Sequence, residues 1–174
     1  MKTGYIHVYT GNGKGKTTAA IGQVVRAAGS GLKSYFLMLM KDYPYSEVVA
    51  LKNLSGFITV VQAGGDDFVY NRVSPSQIEI NKIKDALLLA KNAMISGDFD
   101  IVVIDEAFVS IYFNLITEAD LLDFIAFKPA EVELILTGRY ATESILEKAD
   151  LVTEMKEIKH YYERGVKARK GIES

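Results

Sequence analysis

Six short apolar runs, several rich in β-branched residues, recur along the chain at residues 5–9, 34–40, 57–62, 101–104, 132–137 and 151–155. Several are apolar at consecutive rather than alternate positions, which is the pattern of a strand covered on both faces. Between them the apolar period lengthens to three and four. The clearest case is residues 75–96, where Ile83, Ala86, Leu87, Ala90, Ala93 and Met94 share one helical face. Ser74 is expected to cap this helix, with Pro75 at its first position, Gln77 completing a capping box and Gly97 ending it in a left-handed turn. Residues 17–28 predict a second helix with Ala20, Ile21, Val24, Val25 and Ala28 inward, stopped by Gly29-Ser30-Gly31. Shorter helices are expected at 47–54, 118–126 and 142–149. Strand alternating with helix predicts an α/β three-layer sandwich on a mostly parallel sheet, with right-handed crossovers and ligands at the carboxyl ends of the strands.

Length narrows this picture. A chain of 174 residues matches one hydrophobic core, so residues 1–174 are expected to form a single domain. Cysteine is absent, which excludes a disulfide framework, a thiolate metal site and a cysteine nucleophile, and points to the cytoplasm. No charged leader precedes the first apolar run, and no apolar stretch approaches the ~20 residues a membrane span needs, so neither secretion nor membrane insertion is expected. A net charge of −2 offers no general attraction to nucleic acid. Only residues 156–174 are locally basic, with six Lys or Arg against three Glu, a solvated surface or a contact for a small anion. The longest unpatterned stretch, 63–73, contains Gly64-Gly65-Asp66-Asp67 and reads equally as a functional loop or a surface connection.

The chemistry concentrates where the first strand meets the first helix. Thr10-Gly-Asn-Gly-Lys-Gly-Lys-Thr-Thr18 is a P-loop in the strand–turn–helix context that motif requires, with Thr10 in place of the usual first glycine. Gly11, Gly13 and Gly15 permit backbone conformations in which amides turn towards phosphate oxygens at a helix N-terminus. Asn12 lies within this nucleotide-binding stretch. Lys16 supplies a cation to the phosphates, Thr17 offers a hydroxyl to magnesium, and Thr18 helps close the cage. Lys14 either touches phosphate or points to solvent. The run Ile101-Val-Val-Ile-Asp105-Glu106 is a Walker B arrangement that brings Asp105 or Glu106 beside Thr17, on the metal or on its waters.

With these motifs in hand, the chain closely resembles the P-loop ATP:corrinoid adenosyltransferases, which adenosylate cob(I)alamin and its precursors. The likeness rests on residues 8–20, on Val102-Val-Ile-Asp-Glu106, on Leu136-Thr-Gly-Arg139 with Ala149-Asp-Leu-Val-Thr-Glu-Met155, and on Ile158-Lys-His160 with residues 165–173. The C-terminal segments make it specific, because a P-loop with a Walker B strand is common to many NTPases. The resemblance implies a RecA-like fold, ATP and a reduced corrinoid as substrates, magnesium, intact triphosphate as leaving group, an electron-donating reductase as a partner and a homodimer. It implies catalytic roles for Lys16, Thr17 and Glu106, and a nucleotide reversed along the loop so that its 5′ carbon faces the corrinoid. The family sets an aromatic pair after the third strand against the corrin. Here the aligned positions are Asp66 and Phe68, with Tyr70 nearby, so Phe68 is either a corrin contact or an aromatic packed on the core edge. The helix that many members place ahead of the first strand has only residues 1–4 to correspond to it. Arg139 faces the ligand cleft, or caps a helix, or pairs with a carboxylate. His160 reads as a structural or surface residue rather than a cobalt ligand, and Lys159, Lys167 and Lys170 as contacts to the corrin's acidic periphery or to nothing.

Two other readings share these residues. One is a P-loop ATPase or small-molecule kinase, which would release phosphate or a phosphorylated product. The other is a non-catalytic, ATP-dependent binding module.

Overall fold

The computed structural model describes residues 3–65, 67–68 and 73–173; the expectations placed on Asp66 and Tyr70 lie outside them. Six strands, β1 (Ile6–Thr10), β2 (Ser34–Leu39), β3 (Ile58–Ala63), β4 (Ile101–Asp105), β5 (Glu133–Thr137) and β6 (Leu151–Glu154), form one sheet in the order β3-β2-β4-β5-β1-β6. Every pairing is parallel. Helices α1 (Lys16–Ala28), α2 (Ser46–Leu51), α3 (Gln77–Ile95), α4 (Ala107–Tyr112), α5 (Glu118–Ala126) and α6 (Glu143–Leu146) connect them.

The sheet is covered on both sides, as its consecutive apolar residues require. Along β4, Val102 and Ile104 join a core with α3, α4 and α5, while Ile101 and Val103 join another with α1 and α2. In β2, Tyr35, Leu37 and Leu39 face the first core and Phe36 and Met38 the second. Each large aliphatic side chain so buried contributes roughly 1.5–3 kcal/mol, which is why a strand alternating with polar residues would not serve at these positions. The outcome is the three-layer α/β sandwich expected, with all six strands parallel.

The helix boundaries follow local chemistry. The long helix starts two residues later than Ser74 and Pro75 suggest. Ser76 is the cap: its Oγ accepts from the Glu79 N–H at 3.3 Å, and the Glu79 carboxylate accepts from the Ser76 N–H at 2.6 Å. A carboxylate closes this box, so it outcompetes one closed by Gln77. The expected stop holds, with Gly97 at φ +82. Ser76→Ala is expected to cost about 1 kcal/mol, read as a Tm lower by about 2–4 °C; an unchanged Tm would show that the box contributes nothing. Helix α4 directly after β4 went unforeseen, because Phe108 and Ile111 extend the apolar run of the strand and conceal the change of period.

Candidate functional site

The glycine-rich loop leaves β1 at Thr10 and enters α1 at Lys16. Its glycines are required by a neighbour. A Cβ at Gly11, where φ is +97, would lie 2.5 Å from the Met155 carbonyl oxygen, and one at Gly13 would lie 2.8 Å from it. That closeness is used in bonding: the Gly13 N–H donates to Met155 O at 2.7 Å, and the Met155 N–H donates to Thr10 O at 2.8 Å. The segment after β6 therefore braces the loop, and Gly13's amide, expected to turn towards an anion, is committed to Met155. Gly15, at φ +123, turns the chain into α1 and has no side chain to cap it. The first-turn N–H groups of α1 are left as donors along the cavity wall, where a helix N-terminus favours an anion.

Lys16 folds back over the loop and donates from Nζ to the carbonyls of Gly11 at 2.8 Å and Gly13 at 2.9 Å. Burial, then repulsion from Arg139, hold its pKa below the ordinary lysine value against the attraction of Glu106 and Asp105. Opposite stands Asp105, the last residue of β4 and 0% exposed. Its Oδ1 accepts from Thr17 Oγ1 at 2.8 Å and Thr137 Oγ1 at 2.5 Å, and its Oδ2 accepts from Lys41 Nζ at 2.7 Å. Strand β5 separates β1 from β4, and Thr137 at its end fills the gap between the two motifs. The Lys41 ammonium is opposed by burial, yet the charge and hydrogen bond of Asp105, with help from Glu106, hold its pKa above the ordinary value.

Glu106 follows in the left-handed region at φ +59 and donates its N–H to Thr137 Oγ1 at 3.1 Å. This turn takes its side chain to the cavity while Asp105 points inward. Burial first, and the charge of Asp105 second, raise the Glu106 pKa above 4.5 despite Lys41, Lys16 and Arg139. A carboxyl whose pKa rises on folding stabilises the fold while protonated. That contribution is complete below the unfolded-state value near 4.5 and is lost as pH climbs through the raised value. In magnesium-free buffer Tm should therefore fall over that interval, and Glu106→Gln should flatten the fall. A pH profile of Tm unaltered by the substitution would contradict it.

Among the described residues, no three or more His, Asp or Glu side chains gather into a metal site of their own. The Thr17 hydroxyl with the Asp105 and Glu106 carboxylates is instead a set of hard oxygens, of the kind magnesium takes when phosphates and waters complete its shell.

These groups open onto a cavity of about 940 Å³, at the upper end of the range for small-ligand sites. Asn12, Gly13, Lys14, Gly15, Lys16, Thr17, Thr18, Glu106 and Arg139 all line it. Gly11 and Asp105 stand behind that wall. Phe68 does not reach it: at 3% exposure it packs edge-on against Phe113, with ring centroids 5.5 Å apart, and Phe113 is the ring that faces the cavity. His160 lines the cavity too, and its Nδ1 accepts from the Tyr162 N–H at 3.0 Å. Lys159, Lys167 and Lys170 are exposed and outside the lining.

Lys14 touches neither solvent alone nor the loop. Its Nζ donates to Ile172 O at 2.8 Å, Glu173 Oε1 at 3.0 Å and Tyr161 OH at 3.3 Å, drawing the C-terminal segment over the loop. Glu173 also receives Arg169 and the Tyr161 hydroxyl, and these bonds hold its pKa far below the carboxylate range. Sequence reasoning missed Lys41, Thr137, Tyr112, Phe113 and Tyr140. A usable signal existed for the first two, which follow or end strands β2 and β5 at the carboxyl edge of the sheet, where ligands of such folds lie.

Comparison with known proteins agrees with this geometry. The family model described as ATP:corrinoid adenosyltransferase BtuR/CobO/CobP matches residues 2–174. A corrinoid adenosyltransferase of Escherichia coli strain K12 is 32% identical over 171 residues, covering 98% of this chain and 85% of that protein. One of Pseudomonas aeruginosa is 31% identical over 170 residues, covering 98% and 83%. Corrinoid adenosyltransferase CobA of Salmonella typhimurium is 30% identical over 171 residues, covering 98% and 85%. With the loop, the acidic strand end and the C-terminal brace falling inside one match that runs nearly end to end, the chain belongs to the ATP:corrinoid adenosyltransferase family.

Proposed function

We propose that this protein transfers the 5′-deoxyadenosyl group of ATP to the reduced cobalt of a corrinoid and releases inorganic triphosphate. The observation that carries the reading is the convergence of three cations, Lys16, Lys41 and Arg139, with a helix N-terminus on one cavity that also holds Glu106. The chain has no cysteine, and the reaction needs no nucleophile from the protein. Cobalt(I) attacks the ribose 5′ carbon with its own electron pair; the cobalt–carbon bond forms, the C5′–oxygen bond breaks, and that bond's electrons leave on the triphosphate.

The protein's work is electrostatic and positional. Negative charge grows on the departing oxygen, so cations and amides placed beforehand favour the transition state over bound ATP. Lys16 would exchange the carbonyls of Gly11 and Gly13 for phosphate oxygens, and the open amides of α1 would add to that hold. Thr17 and Glu106, backed by Asp105, would hold magnesium, which supplies further charge neutralisation on the triphosphate when bound. Holding the 5′ carbon in line with cobalt supplies the entropic part of the acceleration. The reversed nucleotide orientation that the family likeness implies serves this end, since it places triphosphate in the loop and C5′ towards the open side.

Residues 1–174 act on this reading as one P-loop domain, working in the cytoplasm as a homodimer and supplied with reduced corrinoid by an electron-donating reductase. Among the described residues no helix is long and apolar enough to cross a membrane. Incubation with ATP, magnesium and chemically reduced cobalamin is the test. The absorbance of the cobalt–carbon product should grow with time and require all three; its failure to appear would overturn the assignment.

A further inference from the structure

Opposite the phosphate-binding loop the cavity is walled by aromatic rings that neither the loop nor the acidic strand end accounts for. Tyr112, at the end of α4, and Tyr140, just beyond Arg139, stack with centroids 4.5 Å apart and planes tilted by 30°. They remain 58% and 51% exposed. The stack is not loose. Tyr112 meets Phe113 edge-on at 5.1 Å, and Phe113 meets the buried Phe68 edge-on at 5.5 Å, so a chain of ring contacts runs from the core to the cavity mouth.

The backbone beneath it is held in an uncommon conformation. Tyr140 has φ +70, the left-handed region that a bulky residue seldom occupies, and the turn before it contains Gly138 at φ +143 against Phe108. Glycine would take the position of Tyr140 without strain. Strain of this kind persists where a side chain is needed at one place, and it gathers at ligand sites. Large exposed rings already fixed by their neighbours also lose little entropy when a ligand covers them.

We propose that Tyr112 and Tyr140 form the platform on which the corrin macrocycle rests, which makes them determinants of corrinoid affinity. This rests on the adenosyltransferase reading above. The open rings select the occupant: with ATP seated in the loop, a corrinoid lies against the part of the lining where these two tyrosines are exposed. A broad macrocycle with a largely apolar face suits a wide aromatic surface, and the Arg139 guanidinium beside it suits the polar amide or carboxylate groups of the corrin rim.

The test is steady-state adenosylation by Tyr112→Ala and Tyr140→Gly, with ATP and chemically reduced cobalamin varied separately. Each variant should raise the cobalamin KM by about tenfold and leave the ATP KM within about twofold of wild type, as expected for loss of one ring contact. The Tm of Tyr140→Gly should equal or exceed that of wild type, because a purely structural tyrosine would lower it. Tyr→Phe at both positions should restore affinity. A cobalamin KM unchanged in both alanine and glycine variants overturns the platform, and an equal rise in the ATP KM overturns it in favour of adenine. Equilibrium dialysis of hydroxocobalamin needs no turnover and so separates this inference from the reaction. Weaker binding by the variants supports the platform, and undiminished binding refutes it.

Discussion

Lys16→Ala is expected to lower kcat for adenosyl transfer by a factor of at least roughly 10²–10³, while the far-ultraviolet circular dichroism should stay that of the wild type. That magnitude is typical of removing one donor aimed at charge that develops in a transition state. The reasoning starts from where the ammonium is. It is buried among the loop carbonyls of Gly11 and Gly13, which have no other use for a cation, and its lowered pKa records that it is only partly compensated there. A triphosphate is a better partner for it than two neutral carbonyls, and more so once the 5′ bond begins to break. Activity within about tenfold of wild type would mean that the loop does not grip the leaving group.

The second large effect is on stability. Asp105→Ala should cost about 3–5 kcal/mol, seen as a fall in Tm on the order of 10 °C. Asp105 ties together groups from four places: Thr17 on α1, Thr137 at the end of β5, Lys41 after β2, and its own strand β4. Without the carboxylate, the Lys41 ammonium stays largely buried without its direct ion-pair partner, left with only the weaker attraction of Glu106, and two hydroxyls lose their acceptor. The cost comes mainly from that stranded cation, so adding Lys41→Met to the alanine variant should recover part of the loss, the signature of coupled residues in a double-mutant cycle. Strictly additive effects would show that the pair does not interact.

Much of the fold was legible because the strands carry it. Residues 101–104 are apolar without interruption since both faces of β4 are covered, and the apolar runs located the other five strands to within a residue or two, including β6, which is exposed along its length. The helix over 118–126 was also legible; in the structure Thr117 caps it and Leu121, Phe124 and Ile125 are its buried residues. The start of α3 was not, because two serines precede it and only the carboxylate of Glu79 decides between them. Helix α4 was hidden by its hydrophobicity.

The candidate site divides in the same way. The approach of the β4 acids to Thr17 could be anticipated, because both motifs end at the same edge of a parallel sheet, whereas the bonds from Lys16 to the Gly11 and Gly13 carbonyls were not. Contacts with Thr137 and Lys41 could not be anticipated either: only the placement of β5 between β1 and β4 brings Thr137 to Asp105, and only the placement of β2 beside β4 brings Lys41 there. The bond from Lys14 to Glu173 joins residues 159 apart in sequence, and no local pattern encodes it. The stacked tyrosines come from the end of α4 and the loop after β5, which meet only after β4 and β5 have paired.

The central claim is that the loop holds a triphosphate which departs whole. Phosphorus NMR of a completed reaction, with the cobalt–carbon product measured on the same sample, tests it most directly. One inorganic triphosphate per adenosylated corrinoid is the predicted result. ADP, or inorganic phosphate with diphosphate formed in step with that product, would contradict it.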